Sequence, residues 1–244
     1  MLAILSDIHG NLPALQAVVA DAKQRGCTRF LSLGDVAGYL AQPGECIDLL
    51  RELEAPNVLG NHDSYITLDE NCPRSRVVTQ IINYQKSILS TDQVAWLKGS
   101  QESIREGDCL YVHGGPEDPR DQYLYTISAD KIPADVRLLF SGHTHVQVLA
   151  HFGPQRYCNP GSVGQPRDGD RRAAYATLHN DQVHLHRVAY DIDRTVQAMK
   201  AAGFEPFCYE NLYKGAQIGG RVDSVNIIQN TESQDHGRHQ TIPE

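Results

Sequence analysis

The chain has 244 residues, 41% of them hydrophobic and 21% charged, with a net charge of −8. That composition is close to the globular average, and a chain this long buries a core without metal or disulfide staples, so a metal bound here serves chemistry rather than folding. The acidity and the lack of a Lys/Arg-rich run argue against a large nucleic-acid interface, which needs a basic stripe; a small phosphate ester stays open, because metal ions supply positive charge locally. No apolar run approaches the roughly 20 residues of a membrane span. Only Leu2 to Leu5 are apolar before Ser6-Asp7, which does not read as an export signal, and the expected compartment is the cytoplasm. The cysteines (Cys27, Cys46, Cys72, Cys109, Cys158, Cys208) form no C-x-x-C pair, so thiolate zinc has no support and reduced thiols are expected.

In chain order, Met1–Leu5 reads as a buried strand. Asn11–Gly26 reads as a helix, with Pro13 in its first turn and Leu15, Val18, Val19 and Ala22 on one face. Arg29–Leu33 is a strand, Glu45–Glu54 an amphipathic helix and Asn57–Leu59 a third short strand, an order that implies a parallel sheet with right-handed crossovers. Ser75–Leu89 is helical, and Thr91 is expected to cap a further short helix. Ser103–Arg105 and Cys109–His113 flank the hairpin signal Glu106-Gly107, and Arg137–Phe140 is another buried strand. From His145 the pattern changes to hairpins: His145–Phe152 and Arg156–Cys158 around Gly153-Pro154, then Ala173–Leu178 and Gln182–Ala189 around Asn180-Asp181. Asp191–Ala202 is a final helix. The expected organisation is one domain over residues 1–229, of two packed sheets with helices outside, followed by a polar tail over 230–244.

Five short motifs each follow a predicted strand, where an open α/β sheet places its ligands: Asp7-Ile8-His9, Gly34-Asp35, Gly60-Asn61-His62-Asp63, His113, and Gly142-His143-Thr144-His145. Singly each is weak. Together they offer Asp, Asn and His donors suited to borderline-hard divalent ions such as Mn²⁺, Fe²⁺ or Zn²⁺. They suffice for two sites if one carboxylate bridges ions about 3.5–4 Å apart.

The order D-x-H, GD, GNHD, H, GHTH resembles the calcineurin-like metallophosphoesterase superfamily, from Ser6 to about Leu185. The segments GDVAGY, HGGPEDPRDQYL and NPGSVGQPRDGD resemble its small single-domain bacterial and archaeal branch. The resemblance implies a four-layer α-β-β-α sandwich of two mixed sheets flanked by helices. It also implies two divalent metal ions, Mn²⁺ first with Fe²⁺, Zn²⁺ or Mg²⁺ as alternatives. Asp7, His9 and His145 would hold one ion, Asn61, His113 and His143 the other, and Asp35 would bridge; His62 would stay off the metals and protonate the leaving group. Two cations lower the pKa of a shared water, giving a hydroxide that attacks phosphorus. The implied activity is a phosphodiesterase or phosphatase for a small phosphate ester, among them nucleotides.

Two departures from the family's protein phosphatases matter. Their GDxVDRG loop reads Gly34-Asp35-Val36-Ala37-Gly38-Tyr39 here, without the second Asp and without the Arg. His62 must then lean on another group, for which Asp63 is the candidate, and a phosphate clamp is missing. Arg167 is a candidate replacement, against the plainer expectation that it pairs with Asp168 or Asp170 on the surface. Tyr39, Tyr123 and Tyr125 are candidates to line the cleft, and Pro116–Tyr125 to form a loop over it. His184 and His186 read as an exposed strand face, and His151, His179, His236 and His239 as surface residues. The alternatives are a silent binding module with the same fold, disfavoured because every ligand and His62 are present, and a nuclease, disfavoured by the charge.

Overall fold

The computed structural model describes residues 1–229; the expected tail from 230 to 244 and the two histidines in it lie outside the described residues. Two mixed sheets stack face to face. The first has the order β10-β9-β1-β2, formed by β1 (Leu2–Leu5), β2 (Arg29–Ser32), β9 (Ala173–His179) and β10 (Gln182–Val188). The second has the order β3-β4-β6-β8-β7, formed by β3 (Ser103–Glu106), β4 (Cys109–Val112), β6 (Leu138–Phe140), β7 (Val148–Phe152) and β8 (Gln155–Asn159). In the first sheet β1 pairs parallel to β2 and antiparallel to β9; in the second β6 pairs parallel to both β4 and β8.

The period-2 alternation of the strands decides which core each side chain enters. Leu2 and Ile4 join Leu31, Tyr111, Leu138 and Phe140 between the sheets, while Ala3 and Leu5 face the helices. Tyr111 and Phe140 stack with centroids 5.0 Å apart at the centre of that inter-sheet core, where truncating an aromatic costs about 3–5 kcal/mol. Outside the first sheet lie α1 (Leu12–Gln24), α2 (Pro43–Glu52), α3 (Asn61–Thr67), α4 (Arg76–Ile88) and α5 (Thr91–Lys98). The next helix, α6 (Ile192–Ala201), closes a smaller apolar cluster over Leu40 and Ala41. The outer face of the second sheet is covered by Leu124, Ile127, Ile132 and Val136. Its cover is the short strand β5 (Thr126–Ile127), paired with β11 (Asn226–Ile227), and the single 3₁₀ turn Ala129–Lys131. The four layers therefore follow in the expected order, with the fourth mostly loop.

Differences from the expected elements have local causes. Asn57–Leu59 makes only isolated parallel bridges, Ser32 to Asn57 and Val58 to Gln101, because the backbone turns at Gly60 into a helix. That helix, α3, has no counterpart among the elements expected from the sequence; His62 and Asp63 occupy its first turn. Ser90, not Thr91, caps α5, through a capping box in which its hydroxyl accepts from the Gln93 backbone and Gln93 reaches back. Strand β7 starts at Val148 rather than His145, since His143 and His145 hold left-handed backbone at φ 64 and 59. The Asn180-Asp181 turn has both residues at positive φ, as a two-residue hairpin requires. All six cysteines are free.

Candidate metal centre

The motifs converge at the carboxyl ends of β1, β2, β4 and β6, and α3 begins at the same place. Asp7 Oδ1 lies 3.2 Å from His145 Nε2, and His9 Nε2 lies 3.1 Å from the same atom. His113 Nε2 lies 3.1 Å from His143 Nδ1, 3.2 Å from Asn61 Oδ1 and 3.4 Å from Asp35 Oδ2. Asp35 Oδ2 also lies 3.7 Å from His9 Nε2, so it stands between the two groups. Asp7, His9 and His145 form one possible ligand set; Asp35, His113 and His143 form another. Asn61 adds an oxygen to the second.

The donor set fits divalent cations for reasons internal to this chain. Asp7 Oδ1 is buried without a hydrogen-bond partner, while Oδ2 accepts from Ser6 Oγ at 2.6 Å and from the His143 backbone at 3.1 Å. Asp35 divides in the same way: Oδ1 accepts from the His62 backbone N–H at 2.8 Å, leaving Oδ2 for the cluster. His9, His113 and His145 turn Nδ1 toward the carbonyls of Ala37, Leu33 and Gln165, at 2.9, 2.9 and 2.6 Å, which fixes the tautomer and points Nε2 inward. Burial works against charge on His113, but the carboxylates of Asp35 and Asp7 overcome it and raise its pKa to about 9. Burial lowers the pKa of His9, His143 and His145, so of these four imidazoles His113 alone favours its proton, and a cation could take that proton's place.

Backbone strain holds this arrangement. Asp7, His9, Asp35, His143 and His145 all have φ between 52 and 64, in the left-handed region that costs a non-glycine residue about 1–3 kcal/mol where it persists. Two glycines leave the room needed. A Cβ on Gly60 would stand 2.1 Å from Asp35 Oδ1, and one on Gly142 would stand 2.0 Å from Ser6 Oγ.

His62 is buried against the cluster, with Nε2 4.0 Å from Asp35 Oδ2 and its ring 4.8 Å from that of Tyr39. Together with His9 and Asp35 it forms a third group that could hold an ion. Burial lowers its pKa to about 4, against the pull of Asp35. Its Nδ1 has no partner among the described residues, so the expectation that Asp63 orients it does not hold. Asp63 instead accepts from the Ala37 backbone N–H at 2.9 Å and braces the GDVAG loop; burial and the nearby Asp35 charge raise its pKa to about 7.

A cleft of about 480 Å³ opens beside the cluster. Tyr39, His62, Tyr123, Tyr125 and Arg167 line it, so the Tyr and Arg expectations from the sequence meet in one place. Arg167 pairs with neither Asp168 nor Asp170, which are taken by Arg187 and Arg172. Its guanidinium is buried 5.2 Å from the Tyr39 ring centroid, with Gln165 Oε1 accepting from Nη2 at 3.0 Å, and among the described residues no carboxylate pairs with it. Sequence reasoning missed Phe207, Gln217, Ile218 and Arg221, which wall the far side from the segment after α6 and carried no motif. It also missed Gln85 on α4, whose amide accepts from the Gly38 N–H and donates to the Leu40 carbonyl, pinning the loop that carries Tyr39. His184 is exposed as expected, whereas His186 is part-buried against Tyr175 and bonded to Thr177.

Two stacked mixed sheets with His and Asp donors gathered at their strand ends define a metal-dependent hydrolase. The sequence profile of the calcineurin-like phosphoesterase superfamily domain matches residues 1–182, and the chain belongs to that superfamily, as a metal-dependent phosphoesterase. An uncharacterized protein of Methanocaldococcus jannaschii is 32% identical over 238 residues, covering 88% of this chain and 98% of that protein. Phosphodiesterase YfcE of Escherichia coli is 26% identical over 193 residues, covering 74% of this chain and 88% of that protein. A crystal structure of a metallophosphoesterase from Sphaerobacter thermophilus has a TM-score of 0.78 and 34% identity, covering 88% of this chain and 99% of that one. Among the described residues, no helix is long and apolar enough to cross a membrane.

Proposed function

We propose that the protein hydrolyses a small phosphate ester, a diester in preference to a monoester, with two divalent ions held by Asp7, His9, His145 and by Asn61, His113, His143, and with Asp35 shared between them. The observation that carries this reading is the division of the Asp35 carboxylate. One oxygen is satisfied by the His62 N–H, and the other stands between His9 and His113. Bound there, a metal pair supplies Lewis-acid stabilisation of the phosphoryl oxygens and a more acidic water.

The chain's own side chains supply the rest. Arg167 clamps a non-bridging phosphate oxygen, and its buried charge gains most from an anion because no carboxylate among the described residues neutralises it. Tyr39 holds that guanidinium by its ring face. His62 gives a proton to the departing alkoxide. Its lowered pKa makes it neutral in the free site, and the negative charge of a bound phosphate moves it back toward protonation. The preference for a diester follows from Gly34-Asp35-Val36-Ala37-Gly38, which lacks the extra Arg a more highly charged monoester would use. Residues 1–229 act as one domain in this reading, and the compartment is the cytoplasm.

The test is a metal titration joined to a substrate panel. Metal-stripped protein is reconstituted with Mn²⁺, Fe²⁺, Zn²⁺ or Mg²⁺ and assayed on a nitrophenyl monoester, the bis-ester and cyclic nucleotides. Two ions per chain, with Mn²⁺ activating most, are expected; one tight ion with no activation by a second overturns the dinuclear reading. His62→Ala decides between acid and ligand. A proton donor leaves two ions bound and costs about 10²–10⁴-fold on alkyl esters, with little loss on nitrophenyl esters; loss of one ion makes His62 a ligand instead.

A further inference from the structure

Three of the four imidazoles in the cluster are braced by carbonyls of the backbone, and the fourth is not. His143 is turned the other way round, with Nδ1 facing His113 Nε2 at 3.1 Å. Its outer nitrogen, Nε2, has no hydrogen-bond partner among the described residues, although the residue is only 3% exposed. The acceptor in reach is Asp121 Oδ1, 3.3 Å away, at ion-pair distance but off the line of a hydrogen bond. Asp121 belongs to the loop between β4 and β5, and the same loop lays the Tyr123 ring on His143, with centroids 3.8 Å apart and planes at 28°. The Asp118 carboxylate accepts from the Asp121 backbone N–H and fixes the turn. On its outer side the Asp121 carboxylate is gripped by both terminal nitrogens of Arg74, whose guanidinium lies 5.6 Å from the Tyr123 centroid.

We propose that Asp121 is a positioning residue for His143: its carboxylate accepts a hydrogen bond from Nε2–H, turns the Nδ1 lone pair toward the ion shared with Asp35, Asn61 and His113, and sets the affinity of that ion alone. An imidazole whose outer N–H meets a carboxylate is held in one tautomer and made a better donor, and losing such a partner costs about 10- to 100-fold in metal affinity. The other three imidazoles are braced by carbonyls of Ala37, Leu33 and Gln165, which substitution of a side chain does not remove. Asp121 is a side chain on a loop whose Tyr123 and Tyr125 reach the cleft. The imidazoles of the ion at Asp7, His9 and His145 would therefore be braced by main chain alone, and those of the other in part by a side chain of the loop that meets the cleft.

The inference rests on the two-ion reading, and single-site backgrounds keep the two apart. His9→Ala leaves the ion held by His143, and His113→Ala leaves the ion held by Asp7 and His145. Mn²⁺ affinity of the metal-stripped variants is measured by calorimetric titration. Adding Asp121→Ala is expected to weaken the remaining ion about 10- to 100-fold in the His9→Ala background and to leave it unchanged in the His113→Ala background. Asp121→Asn, which keeps an acceptor, is expected to lose less. Equal loss in both backgrounds, or none in the first, overturns the proposal. So does Arg74→Ala reproducing the full loss, because the tie to Arg74 would then be what holds the loop. Melting temperatures of the metal-free proteins identify a variant that has merely unfolded. A wild type that binds a single ion defeats the two-ion reading on its own, and the response of that ion to Asp121→Ala still decides whether Asp121 braces His143.

Discussion

The metal cluster and the cleft beside it are held by different parts of the chain. In the cluster, backbone does the holding: five of the proposed ligands sit in left-handed conformations at strand ends, and three imidazoles are braced by main-chain carbonyls. In the cleft, side chains do it. Arg167 rests on Tyr39 and Gln165, and Arg221 is tied to Asp223. Backbone at a sheet end cannot move without breaking the sheet, whereas a side-chain tie can be exchanged one residue at a time. The proposed reaction would thus be built into the fold, and the choice of substrate into the side chains around it.

If that division is right, damage to the cluster should be severe and insensitive to substrate. Asp35→Asn keeps an acceptor for the His62 N–H but loses the charge shared by the two groups. It is expected to lower kcat/KM on every ester by about 10³-fold or more, beyond the 10²–10³ that one oxyanion donor is worth, with loss of at least one ion by metal analysis. Gly60→Ala reaches the same atoms by steric means, since its Cβ would fall 2.1 Å from Asp35 Oδ1. It is expected to weaken metal binding with the Asp35 side chain still present. Near-normal activity in either variant would show that Asp35 is not the shared ligand.

Damage to the cleft should be smaller and depend on the substrate. Arg167→Ala removes a hydrogen bond between charged groups, typically about 1.5–3 kcal/mol, and so is expected to cost about 10- to 100-fold in kcat/KM with both ions retained. Arg167→Lys should recover little, because a point charge replaces a planar fork stacked on Tyr39. Unchanged affinity for inorganic phosphate in Arg167→Ala would leave Arg167 a packing residue and shift the clamp elsewhere.

The same division explains what the sequence disclosed. Ligands at strand ends come with short, ordered motifs, because a tight turn after a strand leaves few residues and demands glycine beside the metal-binding side chain, as in Gly34-Asp35, Gly60-Asn61 and Gly142-His143. The short continuous apolar runs Leu2–Leu5 and Leu138–Phe140 gave the strands for a similar reason, since a sheet covered on both faces buries the residues of each side. The hidden parts depended on contacts distant in sequence. Asn61 to Thr67 shows no apolar period, since this helix is set by the turn at Gly60 and by the cluster it feeds. The buried state of Arg167 was not legible, because Asp168 and Asp170 next to it offered partners that Arg187 and Arg172 occupy in the fold. Gln85 reads as one polar residue in an amphipathic helix until Gly38 and Leu40 are seen against it.

The smallest effect falls on the far wall of the cleft, and it sharpens the comparison most. Arg221 extends into solvent with its side chain 68% exposed, and Nε donates to Asp223 Oδ1 at 2.9 Å. Only the Arg221 half of the pair is exposed, since the Asp223 carboxylate is buried and also accepts from the Tyr125 hydroxyl and the Gln217 amide, so Arg221→Ala should lower the melting temperature slightly and leave the metal content unchanged. Its charge is still added to one side of a cleft that also holds Arg74 and Arg167. The expected outcome is a rise of about two- to fivefold in KM, roughly the 0–1 kcal/mol of one exposed charge, with kcat unchanged, and larger for esters whose leaving group carries an anion than for neutral ones. Phe207→Ala, on the same wall, should reverse that order and affect bulky apolar leaving groups most. If both variants change kcat and KM equally on every substrate, the wall acts on the metal cluster itself, and the separation of reaction from recognition drawn above fails.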